Sequence, residues 1–225
     1  QGASPILYAA IVYSEAVKTY YRRDDPAKSP LPSLQGAFEI MQRLHMPVEF
    51  LGDMDLDLEN LKKFAVVILP NTAILTQPQV TAIRQYVKEG GSILSTYVTS
   101  LYDELGERKA DFDLSDLFGL KYVGINANVP PGSCIAPRGG FLADLQALLA
   151  PLQYKSLHLI VPFVTREPTT GTTKAVYTLM TDFQKPQSSN IPAVHYNNFG
   201  KGKSAYISAD LFKLYTLGPE TNPNQ

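Results

Sequence analysis

The feature that most constrains the fold of this chain is a series of short apolar segments that alternate with amphipathic ones. Residues 6–13 and 65–69 are almost wholly apolar, and residues 48–51 and 92–97 are more mixed segments of the same kind. Apolar runs of this length are typical of strands covered on both faces of a parallel sheet. With helices between them, the order β-α-β-α-β-α-β predicts an α/β fold with a doubly wound, mostly parallel sheet. Right-handed crossovers then place helices on both faces.

Amphipathic segments lie between the predicted strands. The first ends at Pro47, and its apolar residues recur at helical spacing: Leu34, Ala37, Phe38, Met41 and Leu44. A second helix is predicted to begin at Thr76, a typical N-cap residue, and to end at Gly90-Gly91. A shorter helix is predicted over residues 58–64. Residues 14–33 contain three prolines and are predicted to form a long loop, a class of segment that often carries function.

The second half of the chain follows a different pattern. A short helix is predicted over residues 113–118 and a strand over 120–125, followed by an irregular stretch over 126–140. A helix ended by Pro151 is indicated by Leu142, Leu145, Leu148 and Leu149. Three strands joined by tight turns are predicted as an antiparallel C-terminal extension of the same sheet: residues 174–180, 192–198 and 203–207.

Composition narrows the classes of function. The 225 residues carry 20 basic and 21 acidic side chains, for a formal net charge of −1, and the basic residues form neither a stripe nor an amphipathic run. We therefore expect neither nucleic acid nor a membrane as a partner. The single cysteine, Cys134, allows no internal disulfide, and the histidines lie far apart, so neither a metal site nor a cofactor is predicted. The chain starts at Gln1 without a signal sequence, and we expect a fragment of a longer protein.

A crevice at the carboxyl ends of the parallel strands is the predicted place for a ligand, as in other open α/β sheets. Glu15, Asn71 and Ser100 directly follow predicted strands, and Tyr102 and Glu104 come shortly after the last of them. The alternative interpretation is that these residues cap helices and close turns. The sequence therefore offers them as candidate ligand or interface residues without deciding between the two.

Aromatic and basic residues lie side by side in the first loop. Tyr20, Arg22 and Arg23 could stack on a sugar or contact another subunit, because guanidinium groups and tyrosine rings serve both purposes. A solvated loop is the equal alternative.

The residues needed for catalysis do not form a recognisable set. No glycine precedes Gly36 in the first strand–helix connection, so a phosphate-binding loop is not predicted. Ser100 is the nearest candidate for a nucleophile, with His158 or His195 as its base, but no glycine flanks it as in a nucleophile elbow. His195 lies within an apparent strand, where a core histidine is the commoner interpretation.

Carboxylate pairs for glycoside hydrolysis are equally weak candidates. Such a pair stands about 5–9 Å apart on a rigid scaffold. Asp53 with Asp55 and Asp103 with Glu104 are neighbours in acidic turns, which are ordinary solvated surface. Cys134 follows a loop, and its preferred interpretation is a small buried hydrophobe. We therefore predict that the chain has no catalytic residues of its own.

Several short motifs occur in a fixed order between residues 5 and 215: Arg23-Asp24-Asp25-Pro26, Leu69-Pro70-Asn71, Gly90-Gly91, Thr99-Ser100-Leu101-Tyr102-Asp103-Glu104, Asp116-Leu117-Phe118-Gly119, Phe199-Gly200-Lys201-Gly202-Lys203 and Ser208-Ala209-Asp210-Leu211. Together they resemble the middle domain of glycoside hydrolase family 42 β-galactosidases and related bacterial glycosidases. The resemblance implies a flavodoxin-like, class I glutamine amidotransferase-like fold. It also implies that a catalytic (β/α)₈ barrel precedes the domain and that the domain takes part in trimer formation. The glutaminase triad is not carried over, because Val98-Thr99-Ser100 lacks the nucleophilic cysteine.

These expectations combine into one leading prediction. Residues 1–225 form a single, non-catalytic accessory or oligomerisation domain of a bacterial, β-galactosidase-like glycoside hydrolase, with a homo-oligomer as the assembled parent. We expect a soluble protein of the bacterial cytoplasm or periplasm. Two alternatives stay open: an amidotransferase-like hydrolase that uses Ser100, and a carbohydrate-binding module.

Overall fold

The computed structural model describes residues 8–23, 25–126, 134–137, 157–158, 163–169, 174–180 and 188–216. Its strands are β1 Ala9–Tyr13, β2 Val48–Gly52, β3 Val66–Leu69, β4 Ser92–Thr96, β5 Leu120–Asn126, β6 Cys134–Pro137, β7 Leu157–His158, β8 Phe163–Pro168, β9 Lys174–Met180, β10 Ser188–Phe199 and β11 Gly202–Ile207. Its α-helices are α1 Leu31–Arg43, α2 Leu58–Leu61, α3 Gln77–Glu89, α4 Ser115–Phe118 and α5 Leu211–Thr216.

Nine of the described strands form one mixed sheet in the order β2-β1-β3-β4-β11-β10-β9-β6-β7. The pairs from β2 to β11 are parallel. The pairs from β11 to β7 are antiparallel. The predicted mostly parallel sheet with an antiparallel extension is thus confirmed, whereas kinship with glutamine amidotransferases stays a prediction. A separate pair, β5 with β8, was not predicted.

Successive side chains of a strand point to opposite faces of the sheet, so the hydrophobic core has a part on each face. Ala9 and Ile11 of β1 face α1 and α5, which contribute Ala37, Met41 and Phe212 to that side of the core. Ala10 and Val12 face the larger cluster to which α2, α3 and α4 contribute. Helices α1 and α5 pack closely, since a Cβ at Gly36 would lie 2.0 Å from the carbonyl oxygen of Phe212.

Helix α3 begins and ends where the sequence predicts, whereas α1 ends at Arg43, before Pro47, and the helix predicted over residues 58–64 ends at Leu61. Thr76 forms a capping box with Gln79, and the chain leaves α3 through Gly90, whose φ of +128° few other residues adopt. The predicted strand over 92–97 ends one residue earlier, because Tyr97 turns into the left-handed region with φ +54°.

The predicted loop over residues 14–33 contains helical turns that periodicity did not reveal. A π-helical turn spans Val17–Tyr21 and a 3₁₀ turn spans Pro26–Lys28, before α1 begins at Leu31. Side-chain oxygens hold both turns: the Ser14 hydroxyl accepts from the Val17 N–H at 3.1 Å, and the Asp25 carboxylate accepts from the Ala27 N–H at 2.9 Å.

The stretch over 126–140, predicted to be irregular, contains strand β6, which pairs with β9 and β7. Its hydrogen bonds come from strands distant in the sequence, so local composition does not indicate it. The helix predicted from Leu142 to Leu149 lies outside the described residues.

Candidate functional site

The carboxyl ends of β1, β3, β4 and β11 meet at one edge of the sheet, where two cavities share Asn71 as a wall. The first cavity, of about 230 Å³, lies between the end of β1 and the start of α1 and has mostly apolar walls, with Lys18 and Arg22 among them. The second, of about 220 Å³, is lined by tyrosines and charged side chains. We call the second cavity the tyrosine cleft, defined by Tyr21, Lys28, Asn71, Tyr97, Tyr102 and Asp210.

A buried carboxyl group forms the floor of the tyrosine cleft. Asp210 is 3% exposed, and its Oδ2 accepts hydrogen bonds from the Ser33 hydroxyl at 2.6 Å and the Asn71 side-chain amide at 3.0 Å. Burial raises the pKa of Asp210, although these hydrogen bonds act in the opposite direction. The other end of the Asn71 side chain, Oδ1, is buried without a hydrogen-bond partner among the described residues.

Three tyrosines form the walls of the cleft. The rings of Tyr21 and Tyr102 meet edge to face with centroids 4.8 Å apart, and the Lys28 ammonium lies 5.3 Å and 5.9 Å from their centroids. Tyr97 completes the wall. Burial is the main cause that raises the pKa of all three phenol groups.

The backbone around the cleft is strained. Asn71, Tyr97 and Ser100 have φ values of +52°, +54° and +64°, in the left-handed region that costs a non-glycine residue about 1–3 kcal/mol. Hydrogen bonds join the loop after β3 to the loop after β4. One of them runs from the Ser100 N–H to the Thr72 carbonyl at 2.9 Å. Strain of this kind concentrates at functional sites, and here two of the three strained residues line the cleft.

The predicted crevice residues divide into three groups. Asn71 and Tyr102 line the tyrosine cleft, and their role as ligand residues stays a prediction. Glu15 is exposed and pairs with Lys18 at 3.3 Å, and a hydrogen bond from Tyr13 is the main cause that lowers the pKa of its carboxyl group. Glu104 is exposed in the loop that follows Tyr102.

Ser100 lies beneath the surface. Its side chain is fully buried, and its hydroxyl accepts a hydrogen bond from the Leu114 N–H at 3.3 Å. The Ser100 carbonyl accepts from the Asp113 N–H at 3.0 Å. The hydroxyl thus joins two loops within the fold and is out of reach of solvent. His195 is buried in β10, and the side chain of His158 lies outside what the structure describes.

The residues predicted from the first loop remain exposed. Tyr20 is 44% exposed at the π-helical turn, and Arg22 and Arg23 follow it on the surface. Arg22 reaches the wall of the first cavity. A Cβ at Gly106 would lie 2.6 Å from the Tyr20 carbonyl oxygen, so the loop that carries Glu104 packs against this turn.

Sequence reasoning missed Asp210, Tyr97 and Tyr21 as members of the site. Asp210 follows β11, which pairs in parallel with β4 and therefore ends at the same edge as the other parallel strands. Interpreting the last strand as a fifth parallel strand would have placed Asp210 in the crevice. No sequence pattern indicated Tyr97 as a site residue, because its position depends on a left-handed backbone conformation that tertiary contacts impose.

An apolar surface runs along α1 and the β2 edge of the sheet, and its Leu31 and Leu34 also line the first cavity. Strand β2 has no described strand on its outer side, and its Phe50 is 48% exposed with its ring stacked on Phe38 of α1 at 5.5 Å. Leu31 and Leu34 continue the apolar row along α1 at helical spacing, and Leu31 is 61% exposed. We call Leu31, Leu34, Phe38 and Phe50 the apolar edge.

The described residues offer no group of three histidine, cysteine, aspartate or glutamate side chains that could hold a metal ion. Within the same residues, no helix has the length and apolar character needed to cross a bilayer.

The aspartates considered as catalytic carboxylates are bound within turns. Asp53 lies in the turn after β2, where its carboxylate accepts from the Ala16 N–H at 3.2 Å, and Asp103 accepts from the N–H groups of Leu105 and Glu107. The carboxylates of Asp53 and Asp103 thus accept backbone hydrogen bonds within the fold.

Comparisons with known proteins identify the family. A family model described as a β-galactosidase trimerisation domain matches residues 8–216. No curated protein sequence matches the chain. The fold is similar to that of a β-galactosidase from Bacillus circulans sp. alkalophilus (TM-score 0.72, 17% identity), with 92% of this chain and 30% of that chain covered.

Two further structures show the same fold. A β-galactosidase from the haloarchaeon Halorubrum lacusprofundi has a TM-score of 0.71 at 17% identity, with 96% of this chain and 30% of that chain covered. An exo-β-1,4-mannosidase from Opitutaceae bacterium strain TAV5 has a TM-score of 0.59 at 14% identity, with 96% and 34% covered. The chain therefore spans about a third of the length of these proteins. The predicted resemblance is confirmed, and the chain belongs to the family of β-galactosidase trimerisation domains.

Proposed function

We propose that this chain is a single, non-catalytic domain that holds together the subunits of a β-galactosidase-like glycoside hydrolase. The family match over residues 8–216 supports this proposal. The coverage supports it too, because the chain corresponds to 30% of each similar β-galactosidase. A (β/α)₈ barrel needs about 250 residues of its own, so the catalytic carboxylates belong to another part of the parent protein.

The apolar edge is the observation that carries the oligomerisation role. Exposed aromatic and aliphatic side chains beside an unpaired strand edge favour association, and folded proteins usually cover such edges. A ring of three subunits uses a heterologous interface, in which a patch on one subunit contacts a different patch on the next. The apolar edge of one subunit would therefore pack against another surface of its neighbour.

The hydrolase alternative finds no support at Ser100. A nucleophile must reach substrate, whereas the Ser100 side chain is fully buried and hydrogen-bonded within the fold. We expect the 225-residue chain to show no glycosidase activity and Ser100→Ala to change nothing in that assay. Turnover by the wild-type chain that Ser100→Ala abolishes would restore the hydrolase alternative.

The parent protein provides the test of the domain arrangement. We expect its reading frame to encode a barrel with paired carboxylates, and we expect sedimentation equilibrium to give three times the mass of one chain. A parent without a barrel would refute the accessory-domain proposal, and a monomeric parent would refute the oligomerisation role.

A further inference from the structure

We propose that the tyrosine cleft binds a small, uncharged, polyhydroxylated molecule of the size of one monosaccharide. This binding function goes beyond the proposed oligomerisation and does not depend on it, since the cleft lies at the strand ends and the apolar edge lies along β2 and α1.

Polar side chains along the cleft suit a ligand with hydroxyl groups. Asn71 is 3% exposed and its amide nitrogen donates to Asp210, while its Oδ1 is closed off from solvent. Tyr21, Tyr97 and Tyr102 line the same space, and a phenol hydroxyl can both donate and accept. The cleft thus offers hydrogen-bond partners suited to vicinal hydroxyl groups.

The charges of the walls favour an uncharged ligand. Asp25, Asp210, Lys28 and Lys213 line the cleft, so its walls carry carboxyl and ammonium groups in equal number. The Lys28 ammonium already lies over the rings of Tyr21 and Tyr102, the position that a cationic ligand would take.

The size and shape of the cleft narrow the class of ligand further. The cleft has a volume of about 220 Å³, below the range of roughly 300–1,000 Å³ typical of sites for drug-sized ligands. A single pyranose ring is therefore a closer match than an oligosaccharide. Tyrosine rings provide the apolar surface against which the C–H groups of such a ring can pack.

Titration of the ¹⁵N-labelled full chain with D-galactose and D-glucose, followed by NMR, tests the proposal. We expect saturable, millimolar binding that shifts the side-chain amide signals of Asn71 and the backbone signals around Tyr97. Tyr97→Phe keeps the ring but removes one hydroxyl and should weaken binding about threefold to tenfold. The matched control, Tyr13→Phe, removes a hydroxyl that lies outside the cleft and should leave binding unchanged.

Charged sugars complete the test. D-galacturonate and D-galactosamine should bind more weakly than D-galactose, because the balanced walls favour neither charge. The proposal fails if neither neutral sugar gives saturable shifts, if the shifts map away from the cleft, or if Tyr97→Phe and Tyr13→Phe behave alike. A charged sugar that binds as tightly as D-galactose would also overturn it. None of these results changes the oligomeric state, so failure here leaves the proposed function to its own test.

Discussion

A methyl group added at Gly202 would collide with two backbone carbonyl groups. Gly202 begins β11, the parallel strand next to β4, and an added Cβ would lie 2.1 Å from the Gly91 oxygen and 2.2 Å from the Val87 oxygen. Real Cβ contacts essentially never fall below 3.0 Å, so the β10–β11 hairpin and the end of α3 must separate by about 0.9 Å. This close approach gives a physical reason for the glycines of the Phe199-Gly200-Lys201-Gly202-Lys203 motif.

The magnitude follows from the contacts that would move. Overpacking costs about 1–3 kcal/mol. The separation also weakens the bond from the Lys203 N–H to the Gly91 carbonyl and that from the Lys201 N–H to the Lys88 carbonyl, each contributing about 1 kcal/mol. Alanine restricts the unfolded chain and returns about 0.5–1 kcal/mol. We therefore expect Gly202→Ala to lower the free energy of unfolding by roughly 2–4 kcal/mol.

Thermal unfolding followed by circular dichroism measures this effect. For a chain of this length, the expected loss corresponds to a fall in Tm of roughly 4–16 °C. Gly52→Ala is the matched control, because its added Cβ would meet no atom closer than 4.0 Å. Equal Tm values for the two variants would show that the hairpin does not approach α3 as closely as described.

Two further predictions concern buried polar groups. Tyr86→Phe removes a hydroxyl that donates to the Phe64 carbonyl at 3.0 Å and accepts from the Ser92 N–H at 3.3 Å. Urea denaturation should therefore show that the free energy of unfolding falls by about 1–2 kcal/mol. The control variant, Tyr13→Phe, should change it little. Because burial raises the pKa of Asp210, the folded state retains a proton there that the unfolded state releases, and this group favours folding less as pH rises. The stability of Asp210→Asn relative to wild type should therefore increase from about pH 4 to about pH 7, and a constant difference would contradict the raised pKa.

The sequence was sufficient to predict the first four parallel strands, but the parallel pairing of β11 with β4 and part of the candidate site were missed. Apolar strands such as Ala9–Tyr13 and the capping signals of α3 are local, so periodicity and turn chemistry find them. Strand β6 and the pairing of β5 with β8 depend on partners distant in the sequence. Asn71 was predicted from its place after β3, whereas Asp210 depended on knowing that β11 pairs in parallel with β4.

Burial explains why Ser100 looked more reactive in the sequence than it is in the fold. A serine after a parallel strand is a candidate nucleophile on paper, but the left-handed turn at Tyr97 redirects the chain and carries Ser100 beneath the surface. The sequence contains no local signal for such a turn at a tyrosine, since the left-handed region is rare for large side chains.

The most direct test of the oligomerisation role replaces one residue of the apolar edge in the parent protein. Phe50→Asp puts a charge where the described structure exposes a phenylalanine ring, and Val123→Asp makes the same kind of change at a remote residue that is 56% exposed. Circular dichroism should show both variants folded. Sedimentation velocity is expected to show Phe50→Asp dissociating to smaller species while Val123→Asp keeps the assembled state of the wild type. An unchanged oligomer in Phe50→Asp would contradict the assignment of the interface to the apolar edge.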